Sequence, residues 1–268
     1  MAKAETIRRG QLGKTELRLV KSEGRFHGMA DGKTILDGED ADDVWRRLHD
    51  EAGRGDPRYF GYDGACARFL HWFPDGFHSD GFVATERNYK VAAKTKLDLA
   101  APVEEAATGS GFGKAVLSAF RATNLLYPVE KARVQATLRG PDADAFVRAA
   151  ARFALGETKI GLAQMQAALK PQDNAKWTVV TYLAFLWRPE SHMFLKPEVT
   201  KDFAARVGHR FAHDYRSSLR LEVYESLLDL ADKASSELSS LKPRDRIDVQ
   251  SFIWVIGDYR DERDASAP

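Results

Sequence analysis

Cysteine is almost missing from this sequence. Its single thiol, Cys66, predicts no intrachain disulfide and no thiolate metal cage. A charge excess is missing too: 40 Lys and Arg stand against 39 Asp and Glu, a net +1 with His neutral. That balance excludes a globally basic coat for nucleic acid and an acidic tail, while leaving local patches open. The longest apolar stretch, Val179 to Trp187, is less than half of the about 20 residues that a membrane span needs. The opening MAKAETIRRG has no apolar centre and predicts no secretory signal. No membrane partner is expected, and a cytoplasmic location is. Internal repeats and low-complexity blocks are absent as well.

What is present is a chain of 268 residues, 44% apolar and 29% charged, long enough for one large domain or two modest ones. Glu16–Val20 and Arg25–Ala30 alternate polar and apolar residues around a turn at Ser22-Glu23-Gly24. Asp31-Gly32 is a strong hairpin signal, because both central residues of such a turn need positive φ, and it leads into Lys33–Leu36. Asp40 or Asp42 can cap a helix over Asp43–Leu48. The expected fold class is α+β: a small N-terminal three-stranded antiparallel sheet with one helix, packed on a larger, mostly α-helical domain. The expected division is 1–55 for the meander and helix, 56–259 for the helical domain, and 260–268 as a frayed tail.

Residues 53–82 are rich in glycine, proline and rings, with Tyr59, Phe60, Tyr62, Phe69, Trp72, Phe73, Phe77 and Phe82 all favouring burial. An ordered loop with a short helix near Ala65–Trp72 is expected, the kind of segment that often carries function. Beyond it the pattern is helical, from a helix capped by Thr85 through Leu99 to a last helix opened by Pro243.

Within Thr85–Lys96, Arg87, Lys90 and Lys94 recur at helical spacings and predict one basic face, with Tyr89 beside it. Rings that stack on bases, next to cations that hold phosphates, are how single-stranded or flipped nucleotides are held. Tyr62, His71, Trp72 and Phe77 are the candidate stacking residues. The glycine-rich Thr108–Gly113 before Lys114 departs from the phosphate-loop pattern, since Ala115 follows the lysine and no strand precedes it. A nucleic-acid phosphate on that helix start, with Lys114, remains a candidate contact. Asp63, flanked by rings and glycine, is a candidate base, and ordinary turn chemistry is its competing reading. Lys196, between an apolar run and a helix start, is a candidate nucleophile or a snorkelling side chain. Asp245 and Asp248 are candidate carboxylates, with Gln250 as a base-edge reader, unless they only cap the last helix. His71 and His78, or His209 and His213, show no recognised ligand spacing, so neither a metal nor a cofactor is expected.

The runs GYDGACARFLHWFPDGF, ERNYKVAAK, KWTVVTYLAFLW, HMFLKPEVTK and PRDRIDVQSFIWVIG resemble blocks of a bacterial family. Such segments occur in proteins encoded with, or fused to, modification-dependent restriction systems of the McrB type. The resemblance covers residues 55 to 257. It implies work on DNA, on phage DNA with altered bases, and other defence proteins as partners; it carries over no catalytic residues. The motor motifs of McrB itself are absent. The expectation that results is a DNA-acting protein of anti-phage defence or repair that holds an extruded or modified base, one specific version of it being a base-excising glycosylase. Its alternatives are a non-catalytic DNA-recognition module and a structural or regulatory interaction protein.

Overall fold

A computed structural model of the chain describes residues 4–12, 15–53 and 60–259, the side chains of Leu12 and Asp50 excepted. Tyr59, the expected boundary at residue 55 and the expected frayed tail at 260–268 lie outside these residues. The class is α+β, with an antiparallel sheet first and helices after it. The backbone groups into two units: Met1–Trp72 with Glu198–Tyr215 and Ile253–Pro268, and Phe73–Pro197 with Arg216–Phe252. Below, helices of ten or more residues among the described ones are numbered in chain order.

The sheet of the first unit has four strands rather than three, in the order β1 (Glu5–Leu12), β2 (Thr15–Ser22), β3 (Arg25–Ala30), β4 (Lys33–Gly38). Each turn expected from sequence is there: Glu23-Gly24 and Asp31-Gly32 both take positive φ, as a two-residue hairpin of this hand demands. Pairing Leu17 with Ala30 and Leu19 with Gly28 puts the apolar side of β2 and β3 on one face. That face meets α1 (Ala41–Gly53), and Leu17, Leu19, Val44, Trp45 and Leu48 close a core with Phe26 and Leu36 against it. Asp40 caps α1 as expected, accepting the Asp43 amide at 2.7 Å.

The additional strand, β1, escapes a pattern search because its inward positions are not apolar. Arg8 reaches Asp42 of α1 at 2.5 Å. Gly10 lies where a Cβ would sit 2.6 Å from the His213 ring and 3.1 Å from Trp45. Close approach, not hydrophobicity, selects the residue at that point. This unit also contains α2 (Gly61–Trp72), whose Tyr62 ring meets Phe203 edge-on at 6.0 Å.

The second unit is helical: α3 (Asn88–Ala100), α4 (Gly113–Ala122), α5 (Pro128–Arg139), α6 (Ala143–Ala154) and α7 (Thr158–Leu169). After α8 (Pro197–Arg206), which belongs to the first unit from Glu198 on, come α9 (Leu221–Glu237) and α10 (Arg246–Asp258), the latter belonging to the first unit from Ile253 on. The apolar run Val179–Trp187 is buried throughout. It is not one helix as its composition suggests, but two short ones, Trp177–Val180 and Tyr182–Trp187. Thr181 sits between them because its hydroxyl is used twice, donating to the Trp177 carbonyl and accepting from the Leu195 amide. Two large side chains of the core satisfy their polar atoms on backbone carbonyls: Tyr182 donates to that of Ala119 and Trp187 Nε1 to that of Ala101.

Candidate functional site

Two features of the second unit stand out, a buried charge cluster and a surface groove. The cluster is built on a turn of π-helix, Val83–Arg87, that leads into α3. The helical stretch opens at Ser79, which accepts the Phe82 amide, and not at Thr85, which lies within the wide turn. Phe82, Glu86, Lys90, Ala93 and Leu97 then share the buried stripe, spaced four, four, three and four. Lys90 therefore faces inward: it is fully buried, where a solvated basic face was expected. Its Nζ donates to Ser251 Oγ at 2.7 Å and to Glu86 Oε2 at 3.4 Å. Burial pushes the amine down to about 8, against the pull of Glu86 and Asp248.

Arg87 is the next member. Its guanidinium donates to both carboxylate oxygens of Asp245 at 2.8 and 2.7 Å and to Asp248 Oδ1 at 2.8 Å. Burial opposes that charge, but the two carboxylates outweigh it and hold Arg87 above its ordinary value. Asp248 is wholly buried and takes three further bonds from Arg244, through the backbone amide, Nε and Nη2. Arg244 in turn donates to the Phe77 carbonyl at 2.6 Å. Asp245 caps α10 through the Ile247 amide at 2.9 Å. Glu86, Asp245 and Asp248 thus answer Arg87, Lys90 and Arg244, with no charge left over for a substrate.

The remaining candidates of the second unit do not share an accessible hollow with them among the described residues. Phe77 is fully buried between Phe82 and Phe252, so it has no face to offer a base. Tyr62, His71 and Trp72 belong to the other unit, where Trp72 meets Tyr259 edge-on and His71 is exposed beside it. Asp63 is exposed in the first turn of α2, a favourable place for a carboxylate but not the apolar pocket expected of a base. Lys94 spans to Asp98 at 2.7 Å and to the Trp187 carbonyl. Tyr89 is half-buried under the Lys90 amine. Lys196 snorkels: its Nζ donates to the Leu125 carbonyl at 3.3 Å and lies 4.5 Å from the centre of the Tyr127 ring. Gln250 is 4% exposed, so its amide is not presented to the edge of a base.

The glycine-rich loop also differs from expectation. Its amides are used internally: Gly109 N donates to the Glu105 carbonyl and Gly111 N to Asp144 Oδ1 at 2.8 Å. Gly113 is there for contact, since a Cβ would sit 2.8 Å from the Leu138 carbonyl oxygen. Lys114 stays exposed, as do Thr108, Ser110 and Gly111. The loop's role is to brace α6, whose Arg148 donates to the Gly109 carbonyl at 3.1 Å.

Arg148 belongs to the second feature, which the sequence reading missed. A groove of about 410 Å³ runs between α6 and α7, lined by Asp142, Ala145, Arg148, Arg152, Gln164, Ala167 and Ala168. The two helices press together because Gly161 admits α6: a Cβ there would meet the Ala149 carbonyl oxygen at 2.8 Å. Ala145, Arg148 and Arg152 follow the spacing three, four along the outer side of α6, while Phe146, Val147, Ala150 and Phe153 fill the core. Arg152 has no carboxylate within ion-pair distance among the described residues. Neither Asp142 nor Gln164 spends its side chain on another residue there.

No family model, no curated protein and no solved structure matches this chain. Among the described residues, no helix is long and apolar enough to cross a membrane, and no group of three or more His, Cys, Asp or Glu side chains could hold a metal ion.

Proposed function

We propose that this chain is a nucleic-acid-binding component of a bacterial modification-dependent defence system, acting through recognition rather than bond cleavage. The observation that carries this reading is the contrast in available charge. The acids and amines suited to catalysis are consumed by one another, whereas Arg148 and Arg152 line an open groove without carboxylate partners. The resemblance of residues 55 to 257 to segments accompanying McrB-type restriction systems supports DNA as the polymer and defence proteins as partners. Two guanidiniums and Lys114 also suit a local phosphate contact on a protein whose overall charge is near zero.

Fluorescence anisotropy with methylated, hydroxymethylated and plain oligonucleotides, single- and double-stranded, tests it. Binding should weaken with salt at a log–log slope of about two to three, one per phosphate held. Hot alkali applied afterwards should reveal no abasic sites. Absence of binding at low salt overturns the proposal. The excision reading keeps one observation, the amine of Lys90 lowered to about 8 beside Asp248. Alkali-labile sites that vanish in Lys90→Met, in a variant that still binds, would establish it instead.

A further inference from the structure

We infer that the groove between α6 and α7 seats a single nucleotide unit, with its phosphate on Arg148 and Arg152. The inference deepens the nucleic-acid reading, and rests on it only for the source of the nucleotide. Three chemistries meet in the groove. Arg148 and Arg152 are one helical turn apart, about 6 Å along the axis, so both forks can converge on one phosphate. Ala145, Ala167 and Ala168 leave a low, apolar floor between the walls, with room for a flat body. Gln164 supplies an amide that can both donate and accept, and Asp142 supplies an acceptor for an amine or hydroxyl.

A nucleotide matches this set end to end: an anionic terminus, a planar apolar ring, and an edge with donors and acceptors. A purely acidic peptide side chain does not, because it leaves the apolar floor of Ala145, Ala167 and Ala168 unfilled and offers Asp142 no donor. The volume, about 410 Å³, lies within the range of small-molecule sites. The wall is also held in place, since Arg148 is braced on the Gly109 carbonyl and Asp144 ties the neighbouring loop through Gly111. This preorganisation reduces what ordering would cost a ligand.

Titration calorimetry with AMP, CMP, GMP, adenosine and inorganic phosphate, alongside anisotropy with a short single-stranded oligonucleotide, decides the matter in the full chain. At least one monophosphate should bind, and adenosine and inorganic phosphate should each bind at least tenfold more weakly. Arg148→Gln with Arg152→Gln should remove monophosphate binding, and Gln164→Ala should narrow the gap between monophosphate and inorganic phosphate. Circular dichroism should stay unchanged, since Arg148, Arg152 and Gln164 all lie outside the buried core. If the oligonucleotide binds but the arginine variants leave its affinity unaltered, the groove assignment is wrong while the wider reading survives. If monophosphates bind through the arginines and the oligonucleotide does not, the site is real, its source is a free nucleotide, and the wider reading falls. Inorganic phosphate that binds as tightly as any nucleotide, or no binding by any probe, overturns the inference.

Discussion

Each unit holds a buried polar cluster, and the two clusters are satisfied in opposite ways. In the second, three cations and three carboxylates sit at one junction, and each has a partner within hydrogen-bond or ion-pair distance. In the first, Trp45, His49 and His213 lie ring against ring, 4.9 to 5.9 Å between centres. There Trp45 Nε1 and both ring nitrogens of His49 are buried without a hydrogen-bond partner among the described residues. A compensated cluster is strong while intact and costly to break, because removing one member leaves another buried and uncompensated. An uncompensated imidazole has nothing to lose but its own desolvation. Heavily buried charge is therefore no sign of a working site here, and the groups left for a ligand are those in the groove.

The sharpest way to break the comparison is Asp248→Ala. This carboxylate serves Arg87 and Arg244 at once while fully buried. Its loss should cost about 3–5 kcal/mol, read as a lowered midpoint in urea unfolding. Hydrogen exchange should rise first in α3 and the start of α10. A loss under about 1 kcal/mol would mean that the cluster is ornamental to stability and that its charges are held for some other use.

Acid separates the units differently. Burial, with the charge of His213 adding to it, pushes His49 down to about 3. The unfolded chain binds that proton near pH 6.5, so stability falls as the pH drops from 6.5 towards 3 and is retained above 6.5. By pH 5 the loss should reach about 2 kcal/mol. His49→Leu should abolish that part of the acid limb at little or no expense at pH 7.5. In the second unit His192 is also lowered by burial, to about 4, despite donating to the Ala154 carbonyl. Its Nδ1 accepts from Tyr224 at 2.7 Å, so His192→Leu strands a buried hydroxyl and should cost about 1–3 kcal/mol at pH 7.5, a cost that shrinks below pH 6.5 as the wild-type imidazole's own acid penalty develops. Equal behaviour of the two variants at pH 7.5 would erase the distinction.

The sequence made the hairpins legible because each turn needs a particular residue: Asp31-Gly32 and Glu23-Gly24 announce their positive φ. It hid β1 because the inward residues are Arg8 and Gly10, chosen by a partner and by a close approach that no local pattern records. The misreading of Lys90 has the same origin. Counting Arg87, Lys90 and Lys94 describes a basic face, but counting Phe82, Ala93 and Leu97 shows that the lysine lies on the apolar stripe. A charge on a buried stripe needs partners, here Glu86 one turn back and Ser251, and the latter is 161 residues away. The groove escaped for a milder reason: Arg148 and Arg152 look like ordinary solvated residues until α7 is laid beside them.

The smallest expected effect belongs to Lys94, and it sharpens the comparison because this side chain was counted with Lys90. Lys94 is 28% exposed and pairs with Asp98 one turn along, while Lys90 is 1% exposed. An exposed pair of this kind is worth about 0.3–0.5 kcal/mol. Lys94→Ala should therefore lower the urea midpoint only slightly, whereas Lys90→Ala, which leaves Glu86 buried and unanswered, should approach the Asp248→Ala loss. Oligonucleotide affinity and its salt slope should be unchanged in Lys94→Ala, because the contacts assigned to phosphate are on α6. A slope lower by about one unit in that variant would return α3 to the binding surface, and would show that exposure of the ammonium, rather than freedom from a partner, decides which cations meet a polyanion.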